Sequence, residues 1–280
     1  MELIKEITKA IGKEQFESFV PVAKVPERNF SIVTRLKKYF ELAAEHLQHC
    51  FCGEQLQQAL QDCDLKKEIL RYVCLKAFID GLRSLDLVLT STGFGVVSTQ
   101  STAPASQQRV EALDNQLRMQ LLYCQEDIID GMIKIEGWGD SMQAINTINI
   151  LSWRTSFVRN YTSVKPTYDS VQRVRQLAIA ADELLRKEVS AELMDDLLHR
   201  IRTGELENKD YVIMDLCNRF AGDYASKETP VANRYMLDAC VRQVETYADM
   251  YPAYRNSQLY AARHAERYKN KKEDPSFFFM

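Results

Sequence analysis

The sequence predicts a mainly α-helical protein, and three observations carry that expectation. Only 10 glycines and 7 prolines occur in 280 residues, and they gather at breaks. Between the breaks run long segments with apolar residues at helical spacing. Strand-like material is confined to Gly-Phe-Gly-Val-Val-Ser at 93–98 and Asn-Thr-Ile-Asn-Ile-Leu at 146–151. The expected fold is a helical bundle with a short extended insert and a C-terminal arm.

Taken in order, helices are expected at 2–11, 29–51, 54–61, 64–88, 104–134, 167–188, 191–203, 208–225, 230–249 and 253–269. Several ends carry punctuation. Pro230 follows Thr229, a good N-cap, and occupies a first helical position, where a missing N–H costs nothing. Pro104 plays the same part after Thr102 and Ala103. Gly53 and Gly204 fall where helices should stop.

These boundaries contain an internal echo. Ala44, Glu45, Leu47, Leu56 and Leu60, shifted by 137 residues, meet Ala181, Asp182, Leu184, Leu193 and Leu197. With six more residues inserted, Leu70, Val73, Cys74 and Ala77 fall on Ile213, Leu216, Cys217 and Phe220. The chain is therefore open to reading as two duplicated helical units. The expected division is a first unit at 1–135 with the insert at 89–103, a connection at 136–166, a second unit at 167–269 and an arm at 270–280. The insert then belongs to the first unit alone.

Composition narrows the function. A net charge of −3 and a pI near 5.9 give no basic field for nucleic-acid phosphates. No stretch approaches the roughly 20 apolar residues that span a bilayer, and the charged, helix-periodic start is unlike a signal peptide. Synthesis and retention in the cytoplasm are expected. Seven cysteines, mostly within apolar helical patterns, suit buried reduced thiols.

No motif carries catalysis. Gly93-Phe94-Gly95 lacks the third glycine and the preceding strand of a dinucleotide loop. His46, His49, Cys50 and Cys52 are too crowded for a zinc site of ordinary spacing. Asp196-x-x-His199 is the one approach to a carboxylate-bridged metal motif, without a second copy. Glu126, Asp127 and Asp130 read as a solvated acidic face, and none of His46, His49, His199 or His264 has a neighbour in sequence that activates a Ser or Cys. Neither metal nor cofactor is expected.

Three features instead read as contact surface. Val96 and Val97 favour extended backbone with no second strand nearby in sequence, so the segment around Gly93, Phe94, Gly95, Val96 and Val97 is expected to pair with another chain. Residues 136–153 hold both tryptophans, and Trp138 there is expected at a junction or interface. Phe277, Phe278 and Phe279 follow a charged spacer and are expected to be buried, on the same subunit or on a neighbour.

The stretch from Thr92 through Gly93-Phe94-Gly95-Val96-Val97 to Ala103-Pro104-Ala105-Ser106 and Arg109-Val110 resembles the signature of a largely uncharacterised family from tailed phages and prophages of gut Bacteroidetes. Residues 42–113 carry the resemblance, and the spacer Ser-Thr-Gln-Ser-Thr departs from it. Members are placed among head–tail connector or adaptor proteins. The resemblance implies a virion structural protein without catalysis, assembled in the host cytoplasm as a dodecameric ring of its own copies. Its implied partners are the portal protein and adjacent tail or connector proteins, with DNA met only as a passive channel lining. The rivals are a helical metal- or carboxylate-dependent enzyme centred on Asp196 and His199, and a helical scaffold or adaptor of the host.

Overall fold

The computed structural model describes residues 2–23, 32–90, 93–96, 106–227 and 229–265. Along these residues the chain is mainly helical. The first half runs α1 (Glu2–Ala10), α2 (Lys13–Phe19), α3 (Ile32–Leu47), α4 (Leu56–Ala59), α5 (Cys63–Asp86), a hairpin of β1 (Leu87–Thr90) and β2 (Gly93–Val96), α6 (Gln107–Met132) and α7 (Met142–Thr147). The second runs α8 (Thr155–Tyr161), α9 (Tyr168–Leu185), α10 (Ala191–Thr203), α11 (Asn208–Ala225), α12 (Arg234–Thr246), α13 (Pro252–Arg255) and α14 (Gln258–Arg263). One hydrophobic core runs through both halves.

Local chemistry explains where helices depart from the sequence pattern. α12 starts at Arg234 rather than Pro230, because the Asn233 side chain, not Thr229, accepts the Met236 amide at 3.4 Å. Pro104 lies outside the described residues, and α6 begins at Gln107. Residues 146–151 are not a strand. Ser141 caps α7 by accepting the Ala144 amide at 3.1 Å, and Ala144 and Ile148 bury themselves at four-residue spacing. The expected helix at 253–269 breaks into α13 and α14, because Ser257 caps a new start by accepting the Tyr260 amide. Two short helices, α2 and α8, had no clear periodic signal.

The insert also departs from expectation. α5 ends at Asp86 and turns directly into β1, which pairs antiparallel with β2 from Leu87 opposite Val96 to Thr90 opposite Gly93. The extended segment therefore has a partner in its own chain. Leu87-Val88-Leu89-Thr90, its first two residues taken above as helix end and the rest as the start of the insert, is the apolar and β-branched run that supplies it.

The halves share one plan. α3 and α9 each run into a wide π turn, at Gln48–Cys52 and Arg186–Ser190. A short or medium helix follows, then two long ones: α5 and α6, or α11 and α12. α5 packs on both α3 and α6, and α11 on both α9 and α12. Burial moves the register of the first helix pair one residue from that read in the sequence. Buried Leu36, Phe40, Ala43 and Leu47 correspond to buried Val174, Ala178, Ala181 and Leu185, whereas Leu184 is only half-buried. Cys74 and Cys217 remain equivalent, both fully buried.

The parallel continues past the long helices. Fully buried Trp138 stands three residues before the cap Ser141, and fully buried Tyr254 three residues before the cap Ser257. In each case the serine amide donates to the aromatic residue's carbonyl at 2.9 Å. Cys124 and Cys240 match on α6 and α12, both fully buried. The partner faces differ, however. Leu122 and Ile129 of α6 are buried, while their counterparts on α12 are Asp238 and Glu245.

Close backbone approach fixes α8 on α11. A Cβ at Gly222 would stand 2.1 Å from the Tyr161 carbonyl oxygen, whereas one at Gly131 would meet only the movable Leu65 methyls, the nearer at 2.6 Å. Gly222→Ala is expected to lower stability by about 1–3 kcal/mol, and Gly131→Ala by clearly less. Urea midpoints of the two variants check this, and equal effects would remove the close approach as a constraint.

Candidate functional site

The wide turn after α3 leaves carbonyls that no helical amide reaches, and the connection supplies their donors. Trp138 Nε1 donates to the Phe51 carbonyl at 2.7 Å, Gln143 Nε2 to His49 at 3.1 Å and Thr147 Oγ1 to Cys50 at 3.3 Å. Gly53 leaves the turn with φ +57°, a conformation that favours glycine. Trp138 is therefore a core residue, and its expected interface role is overturned. Its indole hydrogen bond has a partner only inside the fold.

Beyond α7 the chain crosses to the second unit and is gripped from both sides. Arg154 forms a two-pronged ion pair with Asp130 of α6 and lies over the Trp153 ring at 4.4 Å. The Thr155 amide donates to Glu126 of α6, and Arg175 of α9 donates to the Trp153 carbonyl. Glu126 and Asp130 are thus fastening groups rather than the solvated face expected. Burial pushes the Glu126 carboxyl above its ordinary range, against the pull of the Thr155 hydrogen bonds and of Arg154 and Arg175.

A cleft of about 390 Å³ opens along this seam. Leu122, Gln125, Glu126 and Ile129 of α6 form one wall, and Arg175 and Ile179 of α9 face them. Asn146, Thr147 and Asn149 close one end, with His49 and Cys50 of the wide turn beside them. Burial lowers the Arg175 guanidinium from its usual range, and Glu126 is the charge that opposes this. The volume suits a small molecule, and the lining mixes apolar, carboxamide and charged groups.

The residues singled out in the sequence scatter around this cleft. His46 and Cys50 come together, with Cys50 Sγ 3.7 Å from Nε2 and the Tyr72 hydroxyl 2.9 Å from Nδ1. Burial, aided by Lys76, lowers the His46 imidazole, and burial raises the Cys50 thiol against Lys76. Both shifts favour the neutral forms, so the pair is not a primed thiolate. Cys52 is fully buried, its thiol pushed by burial to about 12. Asp196 pairs with Arg200 at 3.0 Å, and His199 Nε2 lies 3.1 Å from Asp140 Oδ1, so that motif divides between two different contacts. His264 Nε2 lies 2.8 Å from Glu245.

Gly93, Phe94, Gly95 and Val96 form β2, while Val97, Phe277, Phe278 and Phe279 lie outside the described residues. Arg175, Tyr72 and the carboxamides of the cleft went unnoticed in the sequence. They come from separate helices, and no local spacing joins them.

Residues 34–146 match a family of unknown function (DUF6712). The matched span runs from within α3 to within α7, taking in the hairpin and leaving out α1 and α2 of the first half. No curated protein and no solved structure matches the chain.

The cysteines give a direct test of this packing. Cys63 is exposed and Cys50 half-buried, whereas Cys52, Cys74, Cys124, Cys217 and Cys240 are buried. Burial holds the Cys52 and Cys74 thiols near 12. With a maleimide on the native protein, intact-mass spectra should show Cys63 labelled first and Cys50 later. The other five should label no faster than the protein opens. Early labelling of Cys52 or Cys74 would contradict the arrangement.

Proposed function

We propose that the chain is a structural subunit of a tailed-phage virion, a head–tail connector or adaptor that assembles with its own copies between portal and tail. The observation that carries this reading is the hairpin. Among the described residues, β1 and β2 pair only with each other, on the ends of the α5–α6 pair. A lone two-stranded hairpin is marginal in water and offers two open edges. A neighbouring copy or another connector protein that adds a strand completes it. The hairpin carries the Gly-Phe-Gly-Val segment of the phage-family resemblance, and it lies within the span matched to DUF6712.

On this reading the helices are the scaffold and the partner-binding parts are the hairpin and the C-terminal Phe277, Phe278 and Phe279. Burial of one Phe side chain contributes about 1.5–3 kcal/mol, so the tip holds best where a ring keeps its partner near. The seam formed by Glu126, Asp130 and Arg175 keeps the two units at a fixed angle, which a ring subunit needs.

The reading predicts that the chain's gene lies beside portal and major-capsid genes. It also predicts a separation of folding from assembly. Replacing residues 87–105 with a short Gly-Ser linker should leave helical circular dichroism and the thermal midpoint nearly unchanged, while assembly with the portal, followed by mass photometry and electron microscopy, fails. Truncation after Asp274 should weaken assembly in the same assay without a large loss of monomer stability. Normal assembly by both variants, or a gene neighbourhood without virion proteins, would overturn the proposal.

A further inference from the structure

The cleft between the two units has a feature that the assembly reading leaves unexplained. Arg175 donates one guanidinium nitrogen to the Trp153 carbonyl, and among the described residues it belongs to no ion pair. Arg154, Arg186 and Arg200, also partly buried, have carboxylates in contact (Asp130, Asp182, and Asp196 with Asp210), whereas Arg202, like Arg175, has a carbonyl partner but lies outside the cleft. Arg175 is taken partly out of water with Glu126 as a nearby charge but no carboxylate in contact, and its remaining donors form a planar fork suited to one. Glu126 lies nearby but turns its oxygen to the Thr155 amide.

We propose that this cleft binds a small carboxylate that carries an amide and an apolar side chain, of the size of an N-acylated amino acid. The Arg175 fork takes the carboxylate. Gln125, Asn146 and Asn149 supply amide donors and acceptors, and Leu122 and Ile179 supply the apolar wall. A volume of about 390 Å³ accommodates such a molecule. The Glu126 charge acts against the ligand's charge, so its removal strengthens binding. The inference stands apart from the assembly reading, because the cleft forms within one chain.

Isothermal titration with N-acetyl-leucine and its neutral analogue N-acetyl-leucinamide tests it on the full chain. The acid is expected to bind saturably, and the amide at least about tenfold more weakly, the weight of a charge-assisted pair. Arg175→Gln should erase the difference between acid and amide, and Glu126→Gln should tighten the acid severalfold. Should either variant fail to fold by circular dichroism, Asn149→Asp serves in its place. Asn149 is exposed, so the change leaves the fold intact; it removes an amide donor and sets a second carboxylate against the ligand, weakening the acid more than the amide. Equal binding of acid and amide, no saturable binding of the acid at tens of millimolar, or acid affinity unchanged in both Arg175→Gln and Asn149→Asp would overturn the proposal.

Discussion

The arrangement rests on three backbone carbonyls. The π turn that ends α3 frees the carbonyls of His49, Cys50 and Phe51, and each finds a donor on residues 138–147. A buried carbonyl left without a partner costs about 1–3 kcal/mol, so the turn and the connection stabilise each other. The stretch between the units is therefore no linker. Its first half completes the first unit, and its second half is held by Glu126, Asp130, Arg175 and, through the Ile148 carbonyl, Arg202 of α10. The position of α9 follows from that chain of attachments.

The second unit solves the same problem with other residues. Its wide turn exposes the Glu188 carbonyl, and Arg263 of α14 donates to it at 2.6 Å. Tyr254 occupies the place of Trp138 but sends its hydroxyl to Glu245. A fully buried aromatic with a polar end satisfied, followed by a serine cap, closes each unit. Unlike side chains thus meet one geometric demand, which is why sequence alone showed only part of the parallel.

What the sequence revealed follows the range of the interactions involved. α10 and α11 were read to the residue, because Gly204 and the apolar spacing are local signals. The matched burial of Cys74 and Cys217 was also within reach. The start of α12 was missed because Asn233 outcompeted Thr229 for the cap, and β1 was missed because a run of three apolar residues fits a helix as well as a strand. Trp138 was left between a junction and an interface for want of the Phe51 carbonyl, which lies far away in sequence. The cleft was illegible for the same reason. Arg175, Gln125 and Asn149 share no spacing, and only the seam between units brings them together.

The two units share a plan but not an outer surface. Where α6 turns buried Leu122 and Ile129 toward the second unit, α12 carries Asp238 and Glu245. Helical arrays lengthen by repeating the same apolar joint, and they stop where a terminal module turns polar. By that rule the α12 face is built as an end rather than as a joint. At the equivalent places Asp238 pairs with Arg234, and Glu245 binds Tyr254, Arg263 and His264 of the chain's own closing segment. The ties at that face all run through charged groups, whereas buried Leu122 and Ile129 give the joint inside the chain an apolar part that ionic strength does not weaken.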